Sequence, residues 1–229
     1  MDFPNLETCP AGAVFCSFQH QPEEENMEYR AVGNRCAVIL GSLRLPISRE
    51  ETLTILNRQG FVLVEVDIIA LARQYIGTSQ YRRGARPSKA PAIVDCSSFV
   101  KWLYAQRGIW LPRRSIQQRE LGEVINIDEL VAGDVIFVSG RIDYYHDDPS
   151  NGVGHVGIAT DDGTVIHAAN KEVHLVESSL DGFISKSKFR GARRYVPQDV
   201  EVLTFEAPVD REVEVADDIR WIVLQQLPG

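Results

Sequence analysis

The chain has 229 residues with a formal net charge of −8, and 44% of its residues are hydrophobic. This apolar fraction is typical of a globular fold, and the length predicts one main domain with smaller appendages. The acidic balance and the lack of a recognised nucleic-acid motif argue against nucleic acid as a partner. No apolar run is long enough to span a membrane, and residues 1–29 contain neither the basic nor the apolar part of a secretion signal. We therefore expect a cytoplasmic protein, with non-standard export or phage-associated delivery as the other routes.

The segments before residue 67 predict an extended arm followed by a small β-α-β unit. Residues 1–29 contain Pro, Glu and Gln with little periodicity, which is typical of an arm. Residues 30–66 contain the capping-box sequence Ser48-Arg49-Glu50-Glu51 between two apolar stretches. The expected elements are a strand over 36–45, a helix from Ser48 to near Gly60, and a strand over 61–66.

A cysteine lies where a turn rich in capping residues changes to an apolar helical pattern. Asp95, Ser97 and Ser98 are candidate caps and Gly108 is a stop signal, so Cys96 is predicted in the first turn of a helix. Unpaired N–H groups and the helix dipole favour an anion there, and we expect the thiol pKa to lie below its usual value of about 8.5. The alternative is that Cys96 is a small buried apolar residue, the commoner role of a lone cysteine.

Two histidines downstream each lie in a short predicted strand. His155 lies in Gly-His-Val-Gly-Ile-Ala and His167 in Thr-Val-Ile-His-Ala-Ala, with an Asp-Asp-Gly turn at 161–163 between them. This pattern predicts a hairpin. Because side chains alternate between the faces of a strand, both imidazoles can lie on one side of the sheet.

A cysteine at a helix start, a histidine base and a polar residue that orients the base are what thiol catalysis needs. His155 would take the proton of Cys96 and later protonate the leaving amine, while His167 would hold the ring of His155 in one tautomer. The backbone N–H of Cys96 would contribute to an oxyanion hole. Either histidine alone is more often structural, but the three residues together favour catalysis without metal or cofactor.

Five motifs occur in one order: DCSSFVKWLY, LPRRSIQQ, AGDVIFV, GHVGIA and VIHAA. Their order and spacing resemble the NlpC-type cysteine peptidases of bacterial cell walls, over a domain that we place at 67–197. The resemblance implies an α+β, papain-like fold in which a helix bearing the nucleophile packs on an antiparallel sheet. It also implies that Cys96 is the nucleophile, His155 the base and His167 the residue that orients it.

The same resemblance implies several residues that contact substrate or oxyanion. Tyr81, in Tyr-Arg-Arg-Gly, matches the family's tyrosine near the oxyanion. Asp95 and Ser97 match positions that often line the subsite for the substrate's free amino group, and Ser98 stands where the motif usually has glycine. Tyr81 could instead be an ordinary packing residue, and Asp95 only a helix cap.

The resemblance implies that the partner is peptidoglycan or its stem peptides. We expect a peptidase or amidase that hydrolyses these peptides through an acyl-enzyme, at a bond beside γ-D-glutamate. An acyl or amide transferase is an alternative, since an amine or a lipid alcohol can resolve the same acyl-enzyme. A catalytically silent wall-binding module is a third hypothesis, and the intact Cys96, His155 and His167 argue against it.

Positive charge is concentrated around the predicted nucleophile. Ten of the 24 Lys and Arg residues lie between residues 73 and 119, a segment with one acid, Asp95. A basic surface beside a nucleophile attracts an anionic substrate, and stem peptides with free carboxylates fit it. The alternative is that these basic residues are scattered, solvated arginines with no role in substrate binding.

Residues 140–153 are long for a strand connection and are interpreted as a cleft wall or lid. The run His146-Asp147-Asp148 lacks the spacing of a structural zinc site. His20 and His174 are expected to be solvated or edge residues.

Two features remain near the chain ends. Cys9, Cys16 and Cys36 lack paired C-x-x-C spacing. A disulfide bond among them would form only in an oxidising compartment. Residues 198–229 form an acidic extension that could dock on the basic face, with strands predicted at 201–205, 212–215 and 221–224.

Overall fold

The computed structural model describes residues 28–185 and 187–228. Within these ranges, no helix has both the length and the apolarity needed to cross a bilayer. The helices are α1 (Arg49–Arg58), α2 (Ile68–Gln74), α3 (Cys96–Gln106), α4 (Ser115–Gln118), α5 (Leu180–Phe183) and α6 (Ala216–Leu224). The strands are β1 (Arg35–Ile39), β2 (Val62–Val64), β3 (Gln80–Tyr81), β4 (Ile93–Val94), β5 (Glu123–Ile125), β6 (Val135–Val138), β7 (His155–Ala159), β8 (Thr164–Asn170), β9 (His174–Ser179), β10 (Phe189–Arg194) and β11 (Val202–Glu206).

A six-stranded antiparallel sheet with the order β5-β10-β6-β7-β8-β9 forms the centre of the fold. β6, Val-Ile-Phe-Val, is buried along its whole length, as expected for a β-branched and aromatic strand covered on both faces. β7 and β8 pair in antiparallel register across the turn at 161–163. The predicted hairpin is therefore confirmed.

The helix that begins at Cys96 packs on this sheet, against β7 and β8. The Asp95 carboxylate accepts a hydrogen bond from the Ser98 N–H at 2.9 Å, and the Ser98 hydroxyl accepts one from the Asp95 N–H at 2.8 Å. This capping box satisfies backbone donors that the helix cannot satisfy itself. The apolar face of α3 contributes four buried side chains, and burial of each stabilises the fold by about 1.5–3 kcal/mol: Phe99, Val100, Leu103 and Tyr104. The expected α+β class is confirmed.

A second, three-stranded sheet has the order β1-β11-β2. β11 comes from the C-terminal segment and lies between two strands of the N-terminal segment, with Arg35 and Glu206 joined by a 2.7 Å salt bridge. The two segments share a separate hydrophobic core that includes Leu56, Phe205 and Ile219. The acidic C-terminal extension therefore completes the sheet of the N-terminal β-α-β unit.

The predicted strand at 221–224 is wrong, and the strand predicted at 212–215 is reduced to a single antiparallel bridge between Val215 and Arg30. Residues 216–224 form helix α6, which buries Ile219, Ile222 and Val223 at helical spacing. The β-branched run in this segment favoured a strand. The decisive signal is Asp218, whose carboxylate accepts hydrogen bonds from the Glu214 and Val215 N–H groups and caps the helix.

Two other predictions at the N-terminal side need adjustment. The strand expected over 36–45 ends at Ile39 and is followed by a 3-10 turn, Leu40–Leu43. The predicted arm at 1–29 lies outside the described residues except for its last two. Of these, Tyr29 is buried and donates its hydroxyl proton to the Tyr195 carbonyl at 2.8 Å, which ties this end to the main core.

Candidate active site

A cavity of about 1290 Å³ is lined by the start of α3, by β7 and β8, and by the loops around them. It exceeds the size of most small-molecule pockets, roughly 300–1000 Å³, and has room for a peptide. It brings together six residues singled out from the sequence: Tyr81, Asp95, Cys96, Ser97, His155 and His167. Ser98 is not among the lining residues, because its buried hydroxyl is bonded to the Asp95 backbone.

Cys96 is the first residue of α3 and is half-buried. Burial raises the pKa of its thiol to about 11, and the charge of Asp95 adds to the increase. Hydrogen bonds from the Ser97 and Val156 backbone and the charge of Arg113 oppose it. The expected low pKa is therefore wrong for the resting protein, since loss of water around the sulfur outweighs the helix end. At neutral pH Cys96 is a thiol.

The two histidines of the hairpin meet side by side. His155 Nε2 lies 2.9 Å from His167 Nδ1, and the rings meet edge to face with centroids 5.0 Å apart. The register that pairs Ile158 with Ile166 places Gly157 opposite His167 and makes the histidines diagonal neighbours on one face. The predicted proximity of the imidazoles is confirmed, and Nδ1 of His155 makes no hydrogen bond within the described part of the chain.

Phe183, at the end of α5, packs against both imidazoles at centroid distances of 5.5 and 4.8 Å. Burial, and then the neighbouring His167, lower the pKa of His155 to about 3, and burial lowers the pKa of His167 to about 4. Both rings are neutral at pH 7. Gly157 leaves room for this packing, because a Cβ there would lie 2.4 Å from Val165 Cγ1 and 3.1 Å from both His167 Cβ and Phe183 Cζ.

Ser178 on β9 extends this hydrogen-bonded series. Its Oγ lies 3.1 Å from His167 Nε2, and on the β8–β9 ladder Ser178 is a diagonal neighbour of His167 on the same face. If His155 carries its proton on Nε2, that N–H donates to Nδ1 of His167, which must then be unprotonated. The proton of His167 therefore lies on its Nε2, which faces Ser178 Oγ. Nothing in the sequence marks this serine, because only the strand register places it beside the histidine.

The predicted substrate residues Asp95 and Ser97 are bonded to other parts of the protein. One Asp95 oxygen accepts hydrogen bonds from the Gly84 and Ala85 N–H groups, at 2.9 and 3.2 Å, and forms a 2.5 Å salt bridge with Arg113. Arg113 also donates to the Ser97 hydroxyl at 2.9 Å. The carboxylate therefore joins the start of α3 to the turn after β3, in addition to capping the helix.

Tyr81 lies at the cleft, and burial followed by the charges of Cys96 and Asp95 raises the pKa of its phenol. Its backbone N–H donates to His174 Nδ1 at 3.1 Å. His174 has a φ of 57°, a left-handed conformation that costs a non-glycine residue roughly 1–2 kcal/mol. His174 begins β9, the edge strand of the sheet, which agrees with the expectation of a solvated or edge residue, and its contact with Tyr81 fixes β3 beside β9.

The segment 140–153 forms one wall of the cleft, through Arg141, Ile142 and Tyr144. Its shape is fixed by an antiparallel bridge between Tyr144 and Val153, and by hydrogen bonds that Asp143 accepts from the residues at the start of the loop. The interpretation of this segment as a cleft wall agrees with its place in the structure.

The remaining histidine and cysteine hypotheses concern sites outside the cleft. His146 Nε2 lies 2.5 Å from Glu120 Oε1. Across residues 28–185 and 187–228, no group of three or more His, Cys, Asp and Glu side chains is arranged to hold a metal ion. Cys36 is buried as a free thiol, while Cys9 and Cys16, together with His20, lie outside the described residues.

Comparison with known proteins gives a family match over the cleft. A model of the NlpC/P60 family matches residues 77–194. A probable endopeptidase of Corynebacterium glutamicum is 39% identical over 115 residues, which are 50% of this chain and 47% of that protein. A gamma-D-glutamyl-L-lysine dipeptidyl-peptidase of Bacillus cereus is 34% identical over 105 residues, 45% of this chain and 29% of that protein.

Two other similar proteins complete the comparison. A gamma-DL-glutamyl hydrolase of Bacillus subtilis is 32% identical over 132 residues, 57% of this chain and 29% of that protein. An NlpC/P60 family protein of Bacillus cereus of known crystal structure is 28% identical with a TM-score of 0.45, over 57% of this chain and 40% of that chain. The chain thus spans less than half the length of these relatives.

Proposed function

Because the chain belongs to the NlpC/P60 family, we propose that it is a cysteine peptidase that hydrolyses peptidoglycan stem peptides beside γ-D-glutamate through an acyl-enzyme. The observation that carries the proposal is the convergence of three side chains in one peptide-sized cleft. Cys96 lies at the start of α3, and His155 is hydrogen-bonded to His167 on the facing sheet. We assign these residues to a Cys-His-His triad.

The protonation states define the first step. Cys96 is a thiol and His155 a neutral imidazole at pH 7, so the resting pair is uncharged. His155 therefore acts as a general base: Nδ1 takes the thiol proton as the sulfur attacks the scissile carbonyl carbon. His167 holds the His155 ring and accepts the hydrogen bond from its Nε2–H, which leaves Nδ1 free for the proton.

The later steps use the same groups. We assign oxyanion stabilisation to the backbone N–H of Cys96 and the phenol of Tyr81, two residues that line the cleft, and one such donor is worth roughly 3 kcal/mol in the transition state. The protonated His155 then gives its proton to the leaving amine, and a thioester remains on Cys96. Water, deprotonated by His155, attacks the thioester carbonyl and releases the acid and the free thiol.

The bond specificity rests on the relatives and on the charge around the cleft. Two of the similar proteins are named for γ-glutamyl bonds, one of them for γ-D-glutamyl-L-lysine. A γ-D-glutamyl residue keeps a free α-carboxylate beside the scissile bond. Six Lys and Arg side chains line the cleft against two acidic ones, which suits such a substrate.

The experiment that tests this proposal uses defined stem peptides and mass spectrometry. The native protein should cut L-Ala-γ-D-Glu-meso-diaminopimelate, and Cys96→Ser should leave it intact. Cys36→Ala is the matched control, because it removes the other described thiol from a core that does not line the cleft. Products formed equally by Cys96→Ser would refute the thiol mechanism.

An added amine acceptor separates hydrolysis from the transferase hypothesis. Products carrying the amine in place of water would identify acyl transfer from the same thioester. Intact peptides in every reaction, together with retention of the protein on purified sacculi, would instead support the silent wall-binding module.

A further inference from the structure

The walls of the cleft carry far more positive than negative charge, although the chain as a whole is acidic. Six cationic and two acidic side chains line the cavity, whereas the chain has 24 Lys and Arg against 32 Asp and Glu. The cations come from separate segments: the turn after β3, the start of α4, the 140–153 wall, the β8–β9 turn and the segment before β10. They are Arg83, Arg113, Arg114, Arg141, Lys171 and Lys188.

Five of these six cations are available to a ligand. Apart from Arg113, they make no salt bridge and no side-chain hydrogen bond to any part of the chain that the structure describes. All five are exposed. Arg114 lies over the Tyr144 ring at 5.6 Å, a contact that limits its motion while its N–H donors remain free. Charges of this kind on both walls attract and orient an anion.

Of the two acidic side chains at the cleft, Asp95 is not available in the same way. Asp95 is buried, its charge is balanced by Arg113, and its oxygens accept hydrogen bonds from backbone N–H groups and from Ser97. A substrate ammonium would therefore meet a carboxylate whose charge Arg113 already balances. Glu172, the other acid, is exposed and lies next to Lys171 in the same turn.

We infer that the cleft selects peptides by their free carboxylates and does not require a free amino terminus. This inference rests on the proposed peptidase function and specifies its substrate. The inference depends on two exposed, cleft-lining arginines as specificity residues: Arg83, in the turn after β3, and Arg141, in the 140–153 wall. The favoured substrate is then an internal, polyanionic stem peptide, whose amino end can be acylated.

Binding to the Cys96→Ser protein tests the inference without requiring turnover. Isothermal titration calorimetry would compare L-Ala-γ-D-Glu-meso-diaminopimelate with the same peptide carrying an α-carboxamide, and each with its N-acetylated form. Amidation should weaken binding by about tenfold, the loss of one charge-assisted contact. Acetylation should change Kd by less than about threefold, since Arg113 already balances Asp95 and an ion pair with the exposed Glu172 is worth little.

Charge reversal identifies the residues. Arg83→Glu and Arg141→Glu should each raise Kd for the carboxylate peptide by about fivefold or more, and added salt should weaken native binding. Arg82→Glu is the matched control, because Arg82 is an exposed neighbour of Arg83 that does not line the cleft, and its Kd should stay within about twofold.

Two results would overturn the inference: equal Kd for the carboxylate and carboxamide peptides, or a loss of about tenfold or more on acetylation. Both are separate from failure of the proposed function. A native protein that cuts amidated and carboxylate peptides equally is still a peptidase, whereas selective binding without any cleavage supports the carboxylate specificity and refutes the activity.

Discussion

Removal of the Ser178 hydroxyl tests the series of hydrogen bonds behind the proposed base. Ser178 Oγ lies 3.1 Å from His167 Nε2, and His167 Nδ1 lies 2.9 Å from His155 Nε2. In the proposed tautomer, Ser178 Oγ accepts the Nε2–H of His167, and the bare Nδ1 of His167 accepts from His155. In Ser178→Ala the Nε2–H of His167 loses its acceptor. The other tautomer of His167 then competes, and it requires His155 to carry its proton on Nδ1, where it cannot accept the proton of Cys96.

The expected loss is the worth of one hydrogen bond between neutral groups. A net value of about 0.5–1.5 kcal/mol corresponds to a decrease in kcat of roughly 2- to 10-fold. A role through His167 predicts that KM stays unchanged. Because Ser178 also lines the cleft, a rise in KM alone would instead indicate a contact with the peptide. Ser178→Thr keeps the hydroxyl and suits a strand, so it should restore most of the rate.

The assay is hydrolysis of a stem peptide at several pH values, together with nitrogen chemical shifts of His167 that report its tautomer. Native kcat in Ser178→Ala with an unchanged tautomer would refute the role of Ser178. Equal losses in the Ala and Thr variants would show that packing, not the hydroxyl, is responsible.

Three other experiments test the packing and protonation of the site. Gly157→Ala places a Cβ 2.4 Å from Val165 Cγ1, so kcat should fall by more than about tenfold and Tm should drop; an unchanged Tm and rate would contradict the packing argument. Alkylation of Cys96 by iodoacetamide should accelerate about tenfold per pH unit between about pH 7 and 10, because burial raises the thiol pKa to about 11; a plateau already at about pH 7 would indicate a preformed thiolate. Acid should destabilise the fold, because the pKa of His167 is 6.5 in the unfolded state and about 4 in the folded state. Below pH 6.5 the unfolded state binds more protons than the folded state, so stability decreases as the pH falls from 6.5 to about 4. The loss from His167 is on the order of 3 kcal/mol in urea unfolding, and the same pH dependence in His167→Asn would refute this origin.

Local patterns in the sequence determined the pieces that surround the nucleophile. The capping sequence at Asp95 determined the start of α3, since its side chain accepts a hydrogen bond from the Ser98 N–H, only three residues away. The Asp-Asp-Gly turn and period-two alternation fixed the hairpin of His155 and His167. The motif order then indicated the family before any fold was known.

The C-terminal segment shows where local patterns failed. Its strand at 202–206 was recognised, but its partners, β1 and β2, lie far away in the sequence, so no local signal pointed to them. The run at 216–224 contains strand-forming residues, yet the core formed with β1 buries one face at helical spacing. Burial of an amphipathic face outweighed intrinsic propensity.

The sequence by itself determined which residues can carry the chemistry, whereas the tertiary structure alone decided their chemical state. Proximity in the sequence placed Cys96 at a helix end, which favours a thiolate, but burial against β7 removed water and raised its pKa. Long-range pairing likewise brought Ser178 to His167 and Arg113 to Asp95. Desolvation and contacts between distant segments depend on the packed fold, and no local pattern encodes them.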